Sequence, residues 1–367
     1  MNDEEKFCDD PQCWLTKKGT VHRISEHKSV IKQSSNLTSI PIEKGEHFLN
    51  IHEPSNTIFV SNNKSDSIQV FDGTNKIQKT KIQIERPRRL VVNTLENTLY
   101  AICGDAGFWL RDSGAKISVI DLNSYKIIKT NGKKEGFGEI GYNSNTNMIF
   151  AVQPKSKHLW KIDGKSNEVL DKIKLDAHYY VLTVDSENNR VFLAGNKGGI
   201  RESITVSEFD LKTNQLNEIV KHTTFTKNRP KQIIFNNQSE SVYCLLEGTP
   251  KYDGDSYDIY IRRADLNSGK FGLKSQKRSN WDRMSFDRFE NIIYFSNTAK
   301  GEIQALDSSL REVGLFQFLN PAFIKNDKMR GFSNRVNLCV NPKSHQIFIA
   351  DLTNEKLHIL DLPSKEL

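Results

Sequence analysis

Residues 49–82 read LNIHEPSNTIFVSNNKSDSIQVFDGTNKIQKTKI. Apolar residues alternate in the first run, a polar turn follows, and a second run, TIFV, leads to a second turn. A third run, SIQVF, ends on Asp72 before a fourth begins at Ile77. Period two with β-branched and aromatic residues marks strands, and the Asn, Gly, Asp and Ser between the runs form turns. The stretch reads as four short antiparallel strands joined by tight turns.

The unit recurs. Further copies begin near Leu90, Ile140, Leu182, Ile233, Met284 and Leu338. Each third strand is followed or closed by Asp, at Asp72, Asp121, Asp163, Asp210, Asp265, Asp307 and Asp361. A carboxylate there can accept backbone N–H groups two residues on and fix the turn into the fourth strand, so these Asp are expected to be structural. Seven copies of a four-strand unit predict an all-β fold, a single seven-bladed β-propeller of four-stranded antiparallel blades.

Two apolar rows run through the first strands. One is Leu49, Leu90, Ile140, Leu182, Ile233, Met284 and Leu338; the other is Ile51, Val92, Tyr142, Val184, Phe235, Phe286 and Val340. Both rows are expected to be core, packed between neighbouring blades. The seventh unit stops soon after its third strand. A β-rich stretch at 21–42, VHRISEHKSVIKQSSNLTSIPI, is expected to supply the missing strand, removing the open sheet edge. Residues 1–20 then form a polar tail, and residues 21–367 the propeller, with its repeats from about 47 to 367.

The units SNTIFVSNNKSDSIQVFD and ENTLYAI…AKISVIDLNSYKII resemble the YVTN-type propeller repeat over roughly residues 47–367. That resemblance implies a binding module of the extracytoplasmic or surface kind, with no particular ligand. LYAICGDAGFWLRDSGAKISVIDL and IIYFSNTAKGEIQALDSSL resemble the insect yellow and royal-jelly propellers, some of whose secreted members bind biogenic amines. That group has six blades and a cysteine framework, and this chain departs from it in both.

The 367 residues are 37% hydrophobic and 26% charged, enough apolar material for a core. The formal charge of +7 comes from 52 basic residues interspersed with 45 acidic ones, without long blocks of one sign. A basic arm or known nucleic-acid-binding fold is absent, so no nucleic acid is expected as partner. No run approaches the roughly 20 apolar residues of a membrane helix, which predicts a soluble protein with no membrane span. The acidic start, MNDEEKFCDDPQCWL, lacks the pattern of a signal peptide. The chain is expected to be cytoplasmic, or extracellular or periplasmic if Met1 replaces a removed leader. Cys103, Cys244 and Cys339 fall in strands and read as buried thiols; Cys8 and Cys13 have the spacing of a small disulfide loop, and no second pair completes a metal site.

All long insertions lie on one face of such a ring, where second strands end and first strands begin: 104–114, 196–203, 247–258 and 319–335. Loops of that kind on a rigid scaffold commonly carry binding. The residues leading into the seven first strands ring the channel mouth on the same face. Those read as ligand-binding are His47, Arg88, Arg89, Phe137, Glu139, Tyr179, Tyr180, Lys231, Trp281, Arg283 and Arg335, with Trp109 from an insertion. Aromatic and cationic groups together suit a flat or anionic ligand. Asp253, Asp255 and Asp258 have some likeness to a calcium loop but lack its Glu.

No GxSxG elbow, HExxH or phosphate-cradling loop is present. The reading is a monomeric, non-enzymatic binding protein for a small aromatic or anionic ligand, without cofactor, catalytic residue or metal. The alternatives are a protein-interaction scaffold using Phe108, Trp109, Phe318 and Phe323, a secreted amine binder, and a propeller lyase or hydrolase using His47, Glu139 and a metal.

Overall fold

The computed structural model describes residues 13–15, 21–23, 31–33, 36–45, 47–104, 115–197, 203–223, 229–250, 257–274, 278–279, 283–297, 301–319, 336–351 and 354–362. Seven sheets of antiparallel strands form a ring. Blade 1 comprises His47–His52, Thr57–Asn62, Ser67–Asp72 and Ile77–Gln83, and its pattern repeats in blades 2 to 6, whose first strands start at Pro87, Glu139, His178, Arg229 and Met284. Blade 7 comprises Val336–Asn341, Gln346–Asp351 and Lys356–Asp361, and its outer strand is Leu37–Pro41, paired antiparallel to Lys356–Asp361. The N-terminal segment therefore closes the ring, as the sequence predicts. It also does more: Ile31–Gln33 adds a parallel fifth strand to the outer edge of blade 6. Within the predicted polar tail, Cys13–Leu15 pairs with Val21–Arg23 as a separate two-stranded sheet that straddles residue 20.

The core is seven slabs rather than one centre. Each cluster of buried residues joins two neighbouring blades, as where Ile58, Val60 and Phe71 of blade 1 meet Phe348, Leu357 and Ile359 of blade 7. The other six seams are filled in the same way. Period-two strands explain this, because a blade's two faces are both apolar and both must be covered. In the first of the two apolar rows Leu90, Ile140, Leu182, Ile233, Met284 and Leu338 are buried as expected, and Leu49 is half-buried.

Asp72, Asp121, Asp163, Asp210, Asp265 and Asp307 each accept backbone N–H groups of the turn that follows, as Asp72 does from Thr74 and Asn75 at 2.9 Å. These bonds to the charged form, led in Asp72 by the Asn75 N–H, hold its carboxyl below the usual range. In these six blades the register shifts by one residue between third and fourth strands, close before the Asp in five and between Val206 and Ser207 in blade 4, a bulge that adds twist. Asp361 departs from the predicted role. No covalent turn leads to its blade's fourth strand, and its carboxylate instead accepts from Lys76 Nζ of blade 1 (2.6 Å) and Gln346 Nε2 (2.7 Å).

A second set of polar side chains, at the other turn, links the blades. Inner strands end in Asn93, Asn143, Asp185, Asn236, Asp287 and Asn341. Their Oδ1 atoms accept N–H groups of the following turn. The turn's last residue is left-handed in every blade, at Asn56, Asn97, Asn147, Asn189, Glu240, Asn291 and His345. The amide of one blade then reaches the left-handed residue of the next: Asn93 Nδ2 to Asn147 Oδ1 (2.8 Å), Asn143 to Asn189 (3.3 Å), Asn236 to Asn291 (2.6 Å) and, across the closing seam, Asn341 to Asn56 (2.8 Å). Between blades 4 and 5 the pair would be Asp185 and Glu240, two acids. There Arg190 stands between them, donating from Nε to Asp185 (2.9 Å) and from Nη2 to both Glu240 oxygens (3.1 Å).

Two outcomes are expected. Deleting residues 1–42 removes the outer strand of blade 7, so the variant aggregates or loses cooperative unfolding; a deletion that melts like the full chain refutes the closure. Arg190→Leu leaves the nearly buried Asp185 facing Glu240 and costs roughly 2–3 kcal/mol in urea denaturation, a loss that falls below about 1 kcal/mol when Asp185→Asn and Glu240→Asn are introduced with it.

Candidate functional site

Antiparallel pairing sets Pro87 opposite Cys103, Glu139 opposite Val152 and Val336 opposite Asp351. Starts of first strands and ends of second strands therefore share one face, the long-loop face. The insertions themselves at 105–114, 198–202, 251–256 and 320–335 lie outside the described residues, and with them Trp109, Arg335, Phe108, Phe323, Asp253 and Asp255. Trp281 also lies outside them, as do the side chains of His47 and Asp258.

Of the described ring, three groups converge across the channel. Arg89 on blade 2 pairs with Glu139 on blade 3, Nε to Oε2 at 3.4 Å, both side chains mostly buried. Burial pushes the Glu139 carboxyl above its usual range, and the opposing fields come from Arg89 beside it and from Arg283 of blade 6 across the ring. Arg89 also lies over the Phe48 ring, 4.6 Å from its centroid, and Arg88 lies 5.8 Å from the same ring. Lys231 is half-buried on the inner strand of blade 5, next to Gln232, which is tied to blade 6 through Met284.

The aromatic members separate from this group. Tyr179 is fully buried, with its hydroxyl bonded to Ser207 Oγ (2.6 Å) and Asp176 Oδ1 (3.1 Å), and it packs in the slab between blades 3 and 4. A register shift between Tyr179 and Val181 turns its side chain into that slab. Phe137 packs edge-on to Trp160, centroids 5.0 Å apart, in the blade 2–3 slab, and Tyr180 packs half-buried against the blade 4–5 slab. Phe318, read as a possible scaffold contact, is buried against His358.

The structure also places a cavity that the sequence reading missed. The second apolar row is only partly core: Val92 and Val340 are buried, but Ile51, Tyr142, Val184, Phe235 and Phe286 are half-buried. With Val92 they line a cavity of about 570 Å³ at the opposite, short-turn mouth of the channel. Its rim carries Glu187, Lys343 and a bidentate pair in which Arg288 of blade 6 donates to Glu53 of blade 1 at 2.8 and 2.6 Å. The available signal was the size of Tyr142, Phe235 and Phe286 at a row position elsewhere held by Ile or Val. No group of three metal-ligating side chains occurs among the described residues, and no described helix is long and apolar enough to cross a membrane.

No protein-family model matches the chain, and no curated protein matches it. Solved structures do match, 1438 chains in all, so the fold is widely used. One is Kuenenia stuttgartiensis hydrazine synthase, similar with a TM-score of 0.64 and 12% identity over 88% of this chain and 97% of that chain. Identity that low carries the seven-bladed β-propeller fold and nothing of the site.

The thiols of Cys103 and Cys244 are buried and free, and Cys339 is half-buried rather than fully buried as read from sequence. Burial pushes Cys103 up to about 11 and Cys244 up to about 12, with Cys339 raised further. Thiolate is the reactive form, so none of the three is labelled by Ellman's reagent at pH 8 until the protein unfolds; mass spectrometry of the labelled native chain checks this.

Proposed function

We propose that this protein is a non-enzymatic binding protein, a divergent propeller of the YVTN type, that holds a small anionic or aromatic ligand at the long-loop mouth of its channel. The observation that carries this reading is the Arg89–Glu139 pair between blades 2 and 3 at the channel, with Arg283 of blade 6 close enough for its charge to act on Glu139. Two guanidinium groups against one carboxylate leave a net positive charge in a partly desolvated space, where a charge-assisted bond to an anion is strong. Arg88 and the Phe48 ring add a cationic and flat surface beside it. A protein partner is the second reading, favoured by the exposed Leu95 and Phe289 on short turns of blades 2 and 6.

A thermal-shift screen against organic anions, nucleotides, sugars and amines tests the first reading. An anion at 100 times its dissociation constant stabilises the fold by about 2.7 kcal/mol. Arg89→Gln and Arg283→Gln are expected to remove the shift, while Glu139→Gln, which takes away a like charge, strengthens anion binding about fivefold. Variants that keep the circular dichroism of the parent but bind as it does refute this site. The absence of a shift from every class moves the function to a protein partner.

A further inference from the structure

Between blades 1 and 2 the inner strand ends in a residue that cannot make the Asn link. Blades 2 to 7 end their inner strands in Asn or Asp, but blade 1 ends in His52. An imidazole has no amide and carbonyl pair with which to serve its own turn and the next blade at once. His52 Nδ1 instead bonds Ser55 Oγ at 2.7 Å, inside its own turn, and Ser55 Oγ continues to Thr57 Oγ1 at 2.8 Å. Asn97, the left-handed residue of blade 2 that would receive the link, donates to Asn123 Oδ1 (2.8 Å) within its own blade.

Between these two turns lies a cavity of about 410 Å³. That is within the range of small-molecule pockets. Its floor and one wall are apolar, formed by Phe59 and Leu122, both buried, and the half-buried Tyr125. The other side is polar: Lys79 at the rim, the Thr94 hydroxyl, and the Ser55 and Thr57 hydroxyls that bond each other. None of the lining residues is acidic. Lys79 forms no ion pair within 4.0 Å with a described residue, and the nearby Asp72 is occupied by the N–H groups of its own turn. Burial lowers the His52 pKa despite Glu53, with Lys343 acting in the same direction as burial, so its ring is neutral at pH 7 and its Nε2 is available to a ligand without bringing charge.

We propose that this seam cavity binds a small aromatic carboxylate, its ring against Phe59, Leu122 and Tyr125 and its carboxylate toward Lys79 and the hydroxyls. The site is separate from the channel: it opens on the short-turn face, between blades 1 and 2, at a seam that His52 does not link.

Isothermal titration of the full chain with 4-hydroxybenzoate, and with 4-hydroxybenzamide as its neutral counterpart, tests the assignment. The carboxylate is expected to bind at least about tenfold more tightly than the amide, and Lys79→Met to weaken the carboxylate about tenfold. His52→Asn supplies the residue type of the other blades. It is expected to link the seam to Asn97, raise the melting temperature and abolish binding. Equal affinity for the two compounds, no heat from either at millimolar concentration, or binding that both variants leave unchanged overturns the proposal.

Discussion

Each blade on its own has two apolar faces and cannot be stable; it becomes so only when both neighbours are in place. The ring therefore depends on the register between blades, and that register is set where the inner strands end. An amide oxygen at Asn93, Asn143, Asn236 or Asn341 shapes its own turn, while the amide nitrogen reaches the left-handed residue of the next blade. One residue type thus couples local turn geometry to blade-to-blade spacing. Asn suits both ends of the link, because it tolerates the left-handed conformation and carries donor and acceptor together. Where the pair becomes Asp185 and Glu240, Arg190 links the two blades instead, a cation bonded to both.

This coupling explains what could be read in advance. The repeat count, the strand rows and the turn-forming Asp residues are properties of short windows, and six of those Asp behave as the window requires. Asp361 does not, because its fourth strand arrives from the other end of the chain, and its carboxylate turns to Lys76 and Gln346 instead. The Asn-rich character of the other turns was visible in sequence, but its role between blades was not, since the partner sits about fifty residues away. The second apolar row failed for a related reason. Alternation says that a side chain leaves the strand on a given face, but not whether that face meets the next blade or the widening channel. At the short-turn mouth Tyr142, Phe235 and Phe286 line the cavity instead of meeting the next blade in full.

The candidate site was legible in part. The alignment of Arg89, Glu139 and Arg283 at the same strand position follows from the repeat, and their meeting follows from closure of the ring. Tyr179 and Phe137 were misplaced because one further step from the strand start carries a side chain out of the channel and into a slab. A bulge before Val181 does the same to the register of blade 4. Irregularities of one residue are invisible to a period-two pattern, yet they decide whether an aromatic ring faces ligand or core.

Closure places a particular demand on the seam around blade 7, the one blade whose outer strand is not covalently continuous with its third. Backbone pairing of Leu37–Pro41 satisfies the sheet edge, but does not fix blade 7 against its neighbours. Side chains do so. Gln346, buried, accepts from Asn56 Nδ2 (2.7 Å) and donates to Gly73 O (3.3 Å) and Asp361 Oδ1 (2.7 Å), so blades 7 and 1 share one polar network. Lys76 joins that network from the third turn of blade 1, and its ammonium with the Gln346 amide holds the Asp361 carboxyl below its usual range, although burial acts the other way. Beyond both, Arg288 of blade 6 clasps Glu53 of blade 1 across the short-turn mouth, passing over blade 7 altogether. A buried network of this kind is worth most when complete, and its members come from residues as far apart as Asn56 and Asp361. The two ends of the ring are thus held by polar groups whose bonds between blades 1 and 7 form only on closure, which makes closure cooperative with the formation of blade 1 itself.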